Sequence, residues 1–149
     1  YKTISYSWGV GRERDETATL LVAGQPLIVP KTSERAIRRF QANGTSVVLW
    51  CDAACINQLD REGEKNAHIL YMSLVYSRSQ GNLVYLGEDT DGTAALAFST
   101  IRRLRDKDKS MLLDLKNETS ANGAEIRALT SLFSRPWFRR AWVVQEVVL

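Results

Sequence analysis

Residues 47–58 read VVLWCDAACINQ. Val47, Val48, Leu49 and Trp50 form a short apolar run. Its β-branched and aromatic side chains favour a strand covered on both faces. The run is too short for an amphipathic helix. It ends at Cys51-Asp52, where charge appears abruptly, and Asn57, Gln58 and Asp60 add polar groups just beyond. In an α/β sheet, ligands bind in the crevice past the carboxyl ends of the strands. Asp52 therefore has two readings: a group at such a crevice, or a cap for the turn or helix that follows.

Upstream, Tyr1, Ile4, Tyr6 and Trp8 favour a strand over 2–8, ended by Gly9 and Gly11. Residues 12–16 read as a polar loop. Apolar runs at 19–22 and 26–29 flank Ala23-Gly24-Gln25 and predict a small hairpin, peripheral to the main sheet. Pro30 and Thr32 signal a helix, with Thr32 or Ser33 as cap, Ala36, Ile37 and Phe40 inward, and Asn43-Gly44 as the stop. The basic face of that helix reads as solvation.

Downstream, a helix is expected over about 62–77, with Ile69, Met72 and Tyr76 at helical spacing and Leu70 and Leu74 widening the stripe. A strand follows at 83–86, ended by Gly87, with Glu88, Asp89 and Asp91 read as surface carboxylates. Helices are expected over 94–104 and 124–133. They flank a charged, irregular stretch at 106–122, read as a helical insertion with a short helix near 111–115. Ser134-Arg135-Pro136-Trp137 opens the last helix, with Trp137, Ala141, Val144 and Val148 on its buried face. Trp142 and Glu146, four apart, are neighbours on it, and Arg139 lies on a nearby face. Glu146 has a structural reading too, as an ion-pair partner holding the helix to the domain.

Strands alternating with amphipathic helices predict a three-layer α/β domain, with the strands of Ile4, Val48 and Val84 parallel in one sheet. A length of 149 residues fits one domain. Apolar residues make up 44%, enough for a core, and charged residues 25%. The net charge of +3, with 20 basic against 17 acidic residues, gives no expectation of a nucleic-acid partner. Cys51 and Cys55 are too close in sequence to staple distant parts of a fold, and reducing cytosol is the expected compartment. No stretch of membrane-spanning length is present. The chain opens at Tyr1 and closes at Leu149 inside a helical pattern, which reads as a segment of a longer multidomain protein.

Phosphate-loop, GxGxxG and GxSxG motifs are missing. Cys51, Cys55 and His68 make no persuasive zinc set, and a lone histidine is not a metal site. Cys55 as a nucleophile would need His68 to reach it across a helix start.

Three blocks carry a resemblance. Residues 1–9 (YKTISYSWG), 49–58 (LWCDAACINQ) and 137–146 (WFRRAWVVQE) resemble, in order, the opening, central and closing blocks of the fungal heterokaryon incompatibility (HET) domain. The central block continues through Glu64, Met72 and Tyr76 to Leu86-Gly87. Lys65 stands where the family usually has Arg and His68 where it has Gln. Leu59 replaces a commonly acidic residue, and Gly63 is a one-residue insertion. The resemblance implies a cytoplasmic module of non-self recognition that triggers cell death, usually within a larger protein.

HET domains are in turn distantly similar to Toll/interleukin-1 receptor (TIR) domains. That likeness implies a flavodoxin-like parallel sheet, self-association with partner signalling domains, and NAD as a substrate for hydrolysis. TIR-type enzymes place a Glu on a helix near a Trp. Trp142 and Glu146 match that WxxxE spacing, which makes Glu146 the first catalytic candidate, with Asp52 beside it. Ser5, Trp8, Asn57, Arg139 and Trp142 are the candidate nucleotide-binding residues: indole faces for a ring, Arg139 for the diphosphate, Asn57 for hydroxyls. This chemistry needs no metal. The rival expectation is a self-associating module that recruits partners without catalysis.

Overall fold

The computed structural model describes residues 1–41, 46–59, 63–106 and 123–147. It is a mixed α/β structure that divides into two compact units, Tyr1–Gly87 with Arg139–Leu149, and Glu88–Phe138.

The first unit is built on a three-stranded parallel sheet. Strand β1, Lys2–Tyr6, lies in the centre. After the hairpin strands β2 (Thr17–Val22) and β3 (Gln25–Pro30), the short strand β4, Leu49–Trp50, pairs with one edge of β1. Strand β5, Asn82–Tyr85, pairs with the other edge, in a register that runs from Thr3 opposite Asn82 to Tyr6 opposite Tyr85. The three strands expected to be parallel neighbours are so. The apolar run at 47–50 is not the doubly covered strand: it contributes two residues at an edge, and Val48 is 73% exposed. That central place belongs to β1, where Thr3, Ile4, Ser5 and Tyr6 are all buried. Hydropathy hid it because Thr3 and Ser5 are small polar residues, and burial is tolerated only where such groups find partners. The Thr3 hydroxyl donates to Asn82 Oδ1 at 3.2 Å, and that of Ser5 donates to Glu146.

The hairpin turns at Ala23-Gly24, both with positive φ (49° and 80°), the two-residue geometry that matches strand twist. It is less peripheral than expected. Val29 joins Ile4, Tyr6, Ala36, Cys51, Ala53 and Tyr85 in one core, with Ile37 and Phe40 packed against it. Helix α1, Lys31–Gln41, supplies the expected inward face. Thr32 and Ser33 lie inside its first turn rather than before it, and Ser33 donates to the Pro30 carbonyl at 2.6 Å. The expected stop at Asn43-Gly44 lies outside the described residues, as do Asp60, the helix near 111–115 and Val148.

A single helical turn, α2 (Asp52–Cys55), follows β4, and α3 runs from Glu64 to Ser77. Met72 and Tyr76 are buried as expected, and Tyr76 meets Trp50 edge-on at 5.6 Å. Leu70 and Leu74 do not widen the buried stripe; both are exposed together with Tyr71.

In the second unit, α4 (Ala94–Arg105) and α5 (Gly123–Phe133) pack together through Ala97, Thr100, Ala128 and Leu132. Asp89 accepts from the first amide of α4, Ala94, at 3.1 Å. Asp91 accepts from Thr93 at 2.9 Å and also from Ser131 of α5; these hydrogen bonds, that of Ser131 first, bring its carboxyl down to about 2. Arg135 lies 3.7 Å from Asp89 and donates to the Glu88 carbonyl. The carboxylates after β5 are thus surface groups that clamp two helices, in keeping with their reading from sequence.

The closing helix is broken. Pro136–Arg139 is a 3-10 turn and Val143–Val147 a short helix, α6. Ala141 and Val144 are exposed, so the expected apolar face over 137–148 does not form.

Candidate functional site

Parallel strands leave their carboxyl ends on one side, and the chain continues there from both β1 and β4. From β1 come Ser7, Trp8 and Gly9; from β4 come Cys51 and Asp52. Beyond these ends lies a cleft of about 390 Å3, within the range of small-molecule sites. Trp8, Asp52, Gln58, Met72, Trp142 and two arginines, Arg14 and Arg140, line it.

Asp52 is fixed by neutral donors. Trp8 Nε1 donates to its Oδ2 at 3.0 Å; Tyr6 Oη and the Ala53 amide donate to Oδ1 at 2.8 and 2.7 Å. Asp52 is thus the first residue of α2 rather than its cap, a place taken by Cys51, and its side chain steadies the turn after β4 while facing the cleft. Burial, and then the charge of Asp52, push the Tyr6 phenol far above its ordinary range, so it stays a neutral donor. The Cys51 thiol is pushed up to about 12 by burial first and Asp52 second, which keeps it protonated and unreactive. Gln58 closes the turn by donating to the Asp52 carbonyl at 3.1 Å.

Glu146 has a different environment. Its side chain is 1% exposed. Arg140 grips it with both terminal nitrogens, Nη1 to Oε2 at 3.0 Å and Nη2 to Oε1 at 2.8 Å, and Ser5 Oγ donates to Oε2. Asn82 Nδ2 donates to the Glu146 carbonyl at 2.6 Å. Side chain and backbone together tie α6 to β1 and β5. Tyr76, whose hydroxyl donates to the Ile4 carbonyl at 3.3 Å, has its phenol raised by burial and then by Glu146.

Of the residues singled out from sequence, Trp8, Asp52 and Trp142 line the cleft. Ser5 and Glu146 meet behind its wall. Asn57 is not part of the lining; its side chain accepts from the Leu59 amide at 3.1 Å, and its neighbour Gln58 faces the cleft instead. Arg139 is exposed and does not line the cleft; the cation beside Glu146 is Arg140. The break in the closing helix explains that correction, because an unbroken helix would have brought residue 139 and not 140 close to the Trp142 face. Trp142 and Glu146 remain one turn apart, with the Glu146 amide donating to the Trp142 carbonyl at 3.2 Å, but Trp142 is 46% exposed while the acid is sealed. Cys55 is exposed and not in the lining. Among the described residues no group of acidic, cysteine and histidine side chains could hold a metal, and no helix is long and apolar enough to cross a membrane.

Fold and cleft together make a mixed α/β structure with a pocket beyond the ends of adjacent parallel strands. The chain belongs to the family described as heterokaryon incompatibility protein (HET), which it matches over residues 1–146. HET domains are associated with heterokaryon incompatibility and cell-death signalling. No curated protein and no solved structure shows a significant match to the chain.

Proposed function

We propose that residues 1–149 act as one cytoplasmic, TIR-like cell-death module of fungal non-self recognition, which self-associates and then cleaves the glycosidic bond of NAD. The observation that carries this reading is the composition of the cleft: among the described residues, the carboxylate of Asp52, the indoles of Trp8 and Trp142 and the guanidinium groups of Arg14 and Arg140 surround about 390 Å3. Indole faces suit flat rings, guanidinium forks suit a diphosphate, and a carboxylate suits the charge that develops on ribose. As the bond from C1′ to nicotinamide breaks, its electron pair leaves on the ring nitrogen and the ring departs neutral. Oxocarbenium character grows on the ribose, and Asp52 stabilises it. Water then attacks C1′ and gives its proton to Asp52, which returns it to solvent. Asp52 takes the catalytic role rather than Glu146, because its donors are neutral and leave its charge unpaired beside the cleft, whereas the Arg140 guanidinium neutralises the sealed Glu146.

The test is incubation of purified, deliberately oligomerised protein with NAD. Nicotinamide and ADP-ribose are the expected products. A second reading, a scaffold that recruits partners without chemistry, is favoured by the apolar side chains Leu70, Tyr71 and Leu74 that α3 leaves exposed. A folded Asp52→Asn protein that still kills hyphae, with cellular NAD unchanged, would select the scaffold.

A further inference from the structure

We infer that Arg14 is the phosphate-recognising residue of the cleft, so that the ligand it selects is a nucleoside diphosphate and not a bare nucleoside. This deepens the nucleotide reading above and rests on it.

Charge compensation singles out Arg14. Among the described residues, the charged side chains that line the cleft are Asp52, Arg140 and Arg14. Asp52 is held by neutral donors and keeps its negative charge, and Arg140 is neutralised by the carboxylate of Glu146. Arg14 has no ion-pair partner among the described residues, although Glu13 and Glu16 on the same short segment are both paired. Among the described residues that line the cleft, its guanidinium is the positive charge left for a ligand to meet.

Its placement is built. Arg14 sits in the 3-10 turn Gly11–Asp15, which folds back over Gly9. Gly9 has a φ of +91°, and a Cβ there would lie 3.0–3.1 Å from the backbone of Glu13 and Arg14. Any other residue would be strained at this φ and would force the backbone of the turn to shift by a few tenths of an ångström. The turn is also pinned to α1: Arg35 pairs with Glu13 at 2.8 Å, Lys31 pairs with Glu16 at 2.8 Å, and the Lys31 amide donates to the Glu16 carbonyl at 2.9 Å. A planar fork on a fixed backbone meets a phosphate with paired hydrogen bonds. Arg12 offers a control, since it is exposed on the same turn with the same charge and does not line the cleft.

The experiment is titration calorimetry of the full chain with three probes: ADP-ribose, adenosine and inorganic pyrophosphate. ADP-ribose should bind at least about tenfold more tightly than either other probe, the size expected of a charge-assisted contact added to ring stacking. Arg14→Gln should remove that margin and leave adenosine binding unchanged. Gly9→Ala should do the same by displacing the turn, while Arg12→Gln should keep the margin. Because Arg14 is exposed, its substitution leaves the fold intact, checked by circular dichroism. Equal losses in Arg12→Gln and Arg14→Gln would overturn the inference, as would adenosine or pyrophosphate matching ADP-ribose, or no binding of ADP-ribose at all. The two proposals separate cleanly. Arg14-dependent ADP-ribose binding without NAD cleavage sustains this one alone, and NAD cleavage without an Arg14 effect sustains the other alone.

Discussion

Asp52 and Glu146 are both carboxylates at the sheet of the first unit, and their surroundings are opposite. Asp52 faces the cleft and is held by an indole, a phenol and an amide, none of them charged. Glu146 is sealed and held by a guanidinium and a hydroxyl. Neutral donors fix an acid while leaving its charge available to a ligand. A bidentate arginine consumes that charge internally. The contrast is the ground on which we propose chemistry at Asp52, with Glu146 as the anchor.

The largest effect should come from breaking the anchor on one side only. Arg140→Met leaves a buried, unpaired carboxylate and should cost about 3–5 kcal/mol in urea denaturation. Arg140→Met combined with Glu146→Leu should recover most of that loss, because a buried pair replaced by apolar side chains is close to neutral. If the single and double variants are equally destabilised, Glu146 is not the anchor described.

Asp52→Asn should cost less, about 1–2 kcal/mol, because the amide oxygen still accepts while its NH2 group faces a donor. A loss as large as that of Arg140→Met would erase the contrast between the two acids.

Thiol labelling sharpens the picture around Asp52. With Cys51 raised to about 12 and buried, maleimide at pH 8 should modify one cysteine, Cys55, in the folded protein and both in urea. Mass spectrometry counts the adducts, and labelling of Cys51 in the folded state would show that the turn at Asp52 opens.

The smallest effect concerns the second unit. Asp91 has its folded value lowered to about 2, below the ordinary value, so its contribution is present above about pH 4 and is lost as pH falls toward 2. Asp91→Asn should remove part of the acid sensitivity of α4 and α5, read by circular dichroism between pH 5 and 2, with little change at pH 7. Identical acid profiles for the two proteins would remove the clamp from Asp91.

The same two acids mark what sequence could and could not disclose. Asp52 was legible because a strand end followed by an acid is a local pattern, and the three parallel strands were legible from their apolar runs. The centre of the sheet was not, since Thr3 and Ser5 look polar until their partners, Asn82 and Glu146, arrive from far along the chain. The arginine beside Glu146 was misplaced by one position because a 3-10 turn shifts the phase of the following residues, and hydropathy carries no signal of that break. Leu70 and Leu74 followed helical spacing correctly, but spacing does not say which apolar face finds a partner. Arg14 lies in a stretch that reads as a polar loop; the signal for its placement is Gly9-Val10-Gly11 at the start of that loop, a pattern that lets backbone turn back on itself.

Nicotinamide release from NAD by oligomerised wild-type, Asp52→Asn and Glu146→Gln proteins tests the division of roles most directly. The wild type should release nicotinamide. Asp52→Asn should lose at least about a hundredfold in rate, the scale of general acid–base and electrostatic catalysis, and Glu146→Gln, which keeps the shape of the anchor, should retain most of its turnover once shown to be folded. Loss of turnover in Glu146→Gln with turnover preserved in Asp52→Asn would reverse the assignment, and no release by the assembled wild type would contradict the catalytic reading outright.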